Sequence, residues 1–207
     1  MEQARPTILC LDPRAPDPAA IKKAASALKN GDLVILPTET VYGVAADPRV
    51  AGAVDRIYRV KGRADDKPIA LFAAELRQVE QYGARVSPKA ARLAQEFWPG
   101  PLTLVLPCAS GFVGFRVPDH PVPLAVLRCA GFVLAVTSAN RSGDPPSITA
   151  QEAAAALGSR VSIVLDAGPS PGGVPSTVVK VDGEKLEILR EGAIGRGEIE
   201  RISEGKL

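Results

Sequence analysis

The sequence is poor in the residues that staple, ligate or stack: its 207 residues include 3 cysteines, 1 histidine and only 4% aromatics. Cys10, Cys108 and Cys129 form an odd, widely spaced trio without a CxxC pair. That pattern points to reduced, mostly buried thiols and to no metal site. The lone His120 sits in Pro118-Asp119-His120-Pro121, a proline-flanked setting that reads as a turn and argues against a Ser-His-Asp hydrolase. Neither sign of charge dominates: 25 Lys plus Arg stand against 23 Asp plus Glu, for a net charge of +2. So small an excess does not describe a general nucleic-acid binder, and any basic function must be local. GxxxxGK[ST] and strand-linked GxGxxG loops are missing, so a nucleotide would be held by scattered groups rather than a glycine-rich cradle. No run of ~18 apolar residues occurs, and Met1-Glu2-Gln3-Ala4-Arg5-Pro6 lacks the basic start and apolar stretch of a signal peptide. A cytoplasmic protein with no membrane association is expected.

What is present is ordinary globular composition, 46% apolar and 23% charged, in a length that suits one compact domain. Asp17-Pro18 opens a helix whose apolar residues Ile21, Ala24, Ala25 and Leu28 repeat at helical spacing until Gly31. Residues 33–36 read as a buried strand that ends in the polar turn 37–43, and a helix follows with Val54, Ile57 and Tyr58 on one face. Strands are expected at 69–72, 102–106, 113–117, 132–136 and 161–165. Helices are expected from Ser87-Pro88 to Phe97, over 124–130, and after the capping box Thr149-Ala150-Gln151-Glu152. Residues 177–181 and 185–189 flank Asp182-Gly183-Glu184 as a hairpin, and 195–202 closes with a helix. Early strand and helix alternation with a late hairpin predicts an α/β domain with a twisted mixed β-sheet flanked by helices.

Chemistry-bearing residues recur where strands end: Thr38 and Thr40, Arg116, Ser138 and Asn140, Ser176 and Thr177, and Arg190. Strand ends are where α/β sheets hold ligands, although Ser, Thr and Asn also form turns well. The stretch 55–67 carries Arg56, Arg59, Lys61, Arg63 and Lys67 against Asp55, Asp65 and Asp66. Arg56 and Arg59 fall within a helical pattern, whereas Lys61, Arg63 and Lys67 flank glycine and proline and are better placed to reach an anion.

Six ordered segments carry a resemblance: Leu-Pro-Thr-Glu-Thr-Val-Tyr-Gly (36–43), Lys-Gly-Arg (61–63), Phe-Trp-Pro-Gly-Pro-Leu-Thr (97–103), Phe-Arg-Val-Pro-Asp-His-Pro (115–121), Thr-Ser-Ala-Asn (137–140) and Pro-Ser-Thr-Val-Val (175–179). Together they resemble the YrdC-like family of threonylcarbamoyl-AMP synthases. The resemblance implies a concave, positively lined sheet face and a reaction of L-threonine, bicarbonate or CO2, and ATP. The products would be threonylcarbamoyl-AMP and pyrophosphate, feeding a downstream transfer complex that modifies tRNA, with direct tRNA contact an open question.

By the same resemblance Lys61, Arg63, Ser138 and Asn140 are the catalytic set, and Arg63, Lys67, Ser138, Pro146 and Arg190 hold ATP. Thr40, Phe72, Arg116 and Ser176 hold threonine, and magnesium is expected with the triphosphate. Phe72 and Phe112 stand where relatives carry histidine and threonine. The boundaries implied are an N-terminal extension at 1–16, a catalytic domain at 17–194 and a C-terminal helix at 195–207, the short single-domain form. The alternatives are a double-stranded RNA or tRNA-binding module of the same fold, and a paralogue acting on a different carbamoyl substrate.

Overall fold

The computed structural model describes residues 5–64 and 67–205. Met1 to Ala4 of the expected extension, the acidic pair Asp65 and Asp66, and the last two residues of the expected terminal helix region lie outside the described residues. Among the described residues ten strands make one sheet: β1 (Thr7–Cys10), β2 (Val34–Leu36), β3 (Gly43–Ala46), β4 (Ala70–Phe72), β5 (Leu102–Cys108), β6 (Gly111–Arg116), β7 (Leu134–Ser138), β8 (Ile163–Asp166), β9 (Thr177–Asp182) and β10 (Lys185–Arg190). Their order is β1-β8-β2-β3-β7-β4-β6-β5-β9-β10. Parallel pairing of β1 and β2 with β8, β4 with β6 and β5 with β9 is mixed with antiparallel ladders elsewhere. This is the mixed sheet that the sequence predicts.

Among the described residues seven α-helices pack on it: α1 (Pro18–Lys29), α2 (Ala53–Lys61), α3 (Leu76–Gln81), α4 (Pro88–Phe97), α5 (Pro121–Ala130), α6 (Ala150–Leu157) and α7 (Arg196–Ser203). Alternation along the strands decides which face each helix covers. Val34 and Leu36 of β2 join Ile21 and Leu28 of α1 and Val126 and Leu127 of α5, while Ile35 joins Ile57 of α2 and Leu93 of α4 on the other side. In β5, Leu102, Leu104 and Leu106 enter that second core. Thr103 and Val105 point the opposite way, where α1 and α5 no longer reach, and line a cavity.

Several expectations are corrected. The described part of 1–16 carries β1, paired in parallel with β8 from Thr7 to Cys10. β3 and α3 were not expected: Gly43-Val44-Ala45-Ala46 has little β-branched content, and α3 is a helix of only 6 residues. α5 begins at Pro121 rather than 124, because His120 caps it, its Nδ1 accepting the Val122 N–H at 3.2 Å. Burial holds this imidazole below its ordinary pKa. Lys61, expected just past α2, is the helix's last residue, and Gly62 turns the chain with φ 59°. The thiols are not buried: Cys10 and Cys129 are exposed and Cys108 is half-buried. Cys10 lies on the edge strand and Cys129 is in the last turn of α5, and both positions face outward.

One buried hydroxyl fastens the wall behind the cavity. Thr177 Oγ1 donates to the Ile194 carbonyl at 2.6 Å and accepts the Gly192 and Ile194 N–H groups at 2.9 and 3.0 Å. Gly192 itself tolerates no side chain, since a Cβ would fall 2.2 Å from the Pro175 carbonyl oxygen. Thr177→Val keeps the shape and strands three backbone groups. We expect a loss of about 3 kcal/mol in urea-unfolding stability, and a change within experimental error would show that the hydroxyl is dispensable.

Candidate active site

The turn 37–42 between β2 and β3 is held from within. Thr38 Oγ1 donates to the Val41 carbonyl at 2.7 Å and accepts the N–H groups of Thr40 and Val41 at 3.1 and 3.2 Å. This rigid turn presents Thr40 and Glu39 to Arg116 at the end of β6. Arg116 is only 4% exposed. Its Nη2 donates to Glu39 Oε1 at 2.5 Å and to Thr40 Oγ1 at 3.0 Å, and its Nε donates to the Gly100 carbonyl at 3.1 Å. Desolvation lowers the guanidinium's pKa and the Glu39 carboxylate opposes that shift; arginine's ordinary pKa is so high that the group stays charged. Phe72, beside Arg116 in register, places its ring 5.3 Å from the guanidinium.

Across the cavity, Ser176 Oγ and Thr103 Oγ1 share a hydrogen bond of 2.9 Å. Arg190, at the end of β10, donates from Nε and Nη2 to the Ser176 carbonyl at 3.2 and 2.7 Å. Burial lowers the Arg190 pKa, and the positive charges of Arg116 and Arg63 lower it further. Three guanidiniums therefore crowd one space. Arg63 is fixed by donating to the carbonyls of Lys67 at 3.2 Å and Pro68 at 3.0 Å.

The cavity has a volume of about 520 Å³. Of the residues expected at the site, Thr40, Phe72, Arg116 and Ser176 line it, as do Arg63, Ser138 and Arg190. Lys61, Asn140, Lys67 and Pro146 are not among the lining residues. Lys61 lies behind the wall, 3% exposed, its ammonium donating to the Ser138 carbonyl and, at 2.6 Å, to that of Asn140. Its own carbonyl accepts the Ser142 N–H at 2.9 Å. Asn140 uses its amide to tie its loop, donating to the carbonyls of Arg141 and Asp144 at 2.8 and 2.7 Å. The 61–63 and 138–140 segments are thus one unit, with Arg63 and Ser138 facing the cavity and Lys61 and Asn140 bracing them. Lys67 is exposed and Pro146 half-buried. Glu39 was not singled out from the sequence; its signal was a lone carboxylate between two threonines of a strand-ending turn. Thr103 could have been found from alternation along β5, which turns it away from the leucine face.

The Sua5/YciO/YrdC family model, described as "Telomere recombination", matches residues 26–192. The chain belongs to this family. It is 38% identical over 193 residues to the threonylcarbamoyl-AMP synthase of Bacillus subtilis, covering 88% of this chain and 56% of that protein. It is also 38% identical over 208 residues to the putative threonylcarbamoyl-AMP synthase of Mycobacterium tuberculosis H37Rv, covering 96% and 94%. Among solved structures, Pyrococcus abyssi Sua5 complexed with L-threonine superposes with a TM-score of 0.89 at 34% identity, over 94% of this chain and 60% of that one. The chain thus spans little more than half of the Bacillus relative and nearly all of the mycobacterial one.

In this member of the family burial and the nearby Arg63 lower the Lys61 ammonium from 10.5 to about 8. The unfolded chain binds that proton more tightly. Through this group alone, stability is lowest below about pH 8, where both states are protonated, and rises between about 8 and 10.5 as the folded state sheds the proton first. Heteronuclear NMR on lysine-labelled protein should find one side chain titrating near 8, absent in Lys61→Met. A titration at the ordinary 10.5 would show that the two carbonyls holding the ammonium outweigh its burial.

Proposed function

We propose that this protein is a threonylcarbamoyl-AMP synthase that converts L-threonine, bicarbonate or CO2, and ATP into threonylcarbamoyl-adenylate and pyrophosphate. The observation that carries the proposal is the convergence of Arg63, Arg116 and Arg190 with the hydroxyls of Thr40, Ser138 and Ser176 on one cavity. Relatives over most of the chain bear that activity in their names. Arg116, Thr40 and Ser176 form the amino-acid end, with Arg116 receiving the carboxylate. Arg63, Ser138 and Arg190 form the phosphate end, and Lys61 supports them by holding the Ser138 and Asn140 carbonyls.

The threonine ammonium group gives up one proton, and the free amine adds to CO2 and loses a second to give a carbamate anion. A carbamate oxygen then attacks the α-phosphorus of ATP, the bond from that phosphorus to the bridging oxygen breaks, and pyrophosphate leaves. Both reactants are anions; two unit charges ~4 Å apart repel by about 4 kcal/mol at an effective dielectric of 20. Fixed guanidiniums offset this repulsion without reorganising, so positioning and charge stabilisation suffice and no covalent nucleophile is required. Among the described residues no group of three or more His, Cys, Asp or Glu side chains comes together. Magnesium would therefore enter on the triphosphate's own oxygens.

No described helix is long and apolar enough to cross a membrane, and the reading places the enzyme in the cytoplasm beside its ATP and the downstream tRNA-modifying complex.

Pyrophosphate release from ATP should require threonine and bicarbonate together. Release independent of either would sink the reading. Arg63→Ala should lose on the order of 3 kcal/mol of transition-state stabilisation, read as a drop of about a hundredfold in kcat/KM, and unchanged turnover would remove Arg63 from the reaction.

A further inference from the structure

Resting on the reading of the Arg116 end as an amino-acid pocket, we propose that the paired hydroxyls of Thr103 and Ser176 receive the side-chain hydroxyl of that amino acid, and that Thr103 is a determinant of threonine over its isostere valine. Both residues line the cavity, and both are nearly withdrawn from solvent, at 5% and 6% exposure. On β5, alternation turns Thr103 away from Leu102 and Leu104, which enter the core on the other face. Ser176 directly precedes β9, the strand that pairs in parallel with β5. The two oxygens meet at 2.9 Å.

Two hydroxyls carry two protons, and the bond between them uses one, whichever of them donates. A guanidinium only donates, so the Arg190 Nη2 contact at 3.3 Å occupies a lone pair of Ser176 Oγ and takes no proton from it. Among the described residues neither hydroxyl has a further partner. One O–H therefore remains to be given, at the wall of the cavity, and a buried donor without an acceptor is costly.

The neighbouring hydroxyls at this end are already spent. Thr38 Oγ1 gives its proton to the Val41 carbonyl at 2.7 Å. Thr40 Oγ1 therefore donates to Thr38 in their 2.9 Å contact, and it accepts from Arg116. A ligand's carboxylate asks only for donors, and Arg116 answers it by charge. A ligand's hydroxyl both donates and accepts. Seated against the pair, it accepts the spare proton and returns its own to a free lone pair of the other oxygen. That ring of three closes whichever way the bond between Thr103 and Ser176 runs. Valine has the same shape and can neither accept nor donate.

Titration calorimetry with L-threonine and L-valine tests the assignment. Wild-type protein should prefer threonine by at least about tenfold, because valine leaves the protein's donor unmet and brings none of its own. Thr103→Val, which keeps the shape of the residue, should cut that ratio by about threefold or more through weaker threonine binding, and Thr103→Ser should retain it. The double variant Thr103→Val with Ser176→Ala should bring the ratio close to one, with valine bound about as before. Valine bound as tightly as threonine by the wild type overturns the proposal without any variant. A wild-type ratio in Thr103→Val overturns the role of Thr103. An equal loss for both ligands in the double variant overturns the proposal as well, since the pair would then serve the carboxylate or the fold. Failure of wild-type protein to bind threonine at all would instead overturn the amino-acid pocket, and the pair's role with it.

Discussion

Burying the Arg116 guanidinium is the constraint around which the ligand-facing half of the molecule is arranged. A cation that is 4% exposed is tolerated only when its donors are met and its charge is answered. The answers come from chain segments far apart in sequence: Glu39 and Thr40 from the turn after β2, and the Gly100 carbonyl from the segment before β5. Each of these must be in place before the pair is worth its desolvation. The guanidinium therefore couples the β2–β3 turn, the end of β6 and the loop after α4 into one rigid wall. A buried ion pair of this kind adds little net stability compared with an apolar isostere. What it supplies is a fixed charge at a place where the solvent cannot answer an anion as well.

That wall exists because the sheet outruns its helices on one face. α1 and α5 cover β2, β7 and β8 through Ile21, Leu28, Val126 and Leu127, but β5, β6, β9 and β10 keep helices only on the other side, through Leu93 of α4 and Ile199 of α7. On the open side, period-two alternation delivers Thr103 and Val105, Gly114 and Arg116, and Val178 and Lys180 to a common surface. Gly114 leaves the floor without a side chain, and a Cβ there would rest in ordinary contact on Thr103 Cγ2 at 3.4 Å. The bare face invites RNA as an alternative occupant. Its cations, however, line a recess of about 520 Å³ rather than a raised ridge, a shape that suits a small anionic ligand.

Much of this was legible in the sequence, and the failures have physical causes. α1, α4 and α6 announced themselves through caps at Asp17, Ser87 and Thr149, because a cap is a local bond between neighbours. The strand-end clustering of Thr40, Arg116, Ser138, Ser176 and Arg190 was visible because a buried apolar run that gives way to a polar residue marks a place where the chain reaches an edge. What could not be read was direction. Lys61 and Arg63 are two residues apart and chemically alike in charge, yet one braces a loop from behind and the other faces the cavity. That difference is set by Gly62 in the left-handed region at the end of α2, a tertiary outcome invisible in the tripeptide. Likewise Cys10 and Cys129 looked like core thiols by type, and they are exposed because one lies on the sheet's edge strand and the other on the outer side of α5.

The electrostatics of the recess follow from these placements. Arg63, Arg116 and Arg190 are each pinned by carbonyls or by Glu39, so they cannot relax apart when the cavity holds only solvent. Burial lowers the pKa of Arg190, and the charges of Arg116 and Arg63 lower it further. An anion that enters therefore gains twice: it is attracted to each charge, and it screens the charges from one another. Lys61 contributes from behind, since its ammonium on the Ser138 and Asn140 carbonyls draws electron density away from the loop that faces the ligand. A cluster built this way favours the most highly charged species available, and charge that accumulates between two bound anions during their reaction is stabilised more than either anion alone. In the proposed reaction a preference for a reacting pair over single ligands would be set by the rigid spacing of the cations and not by any one of them.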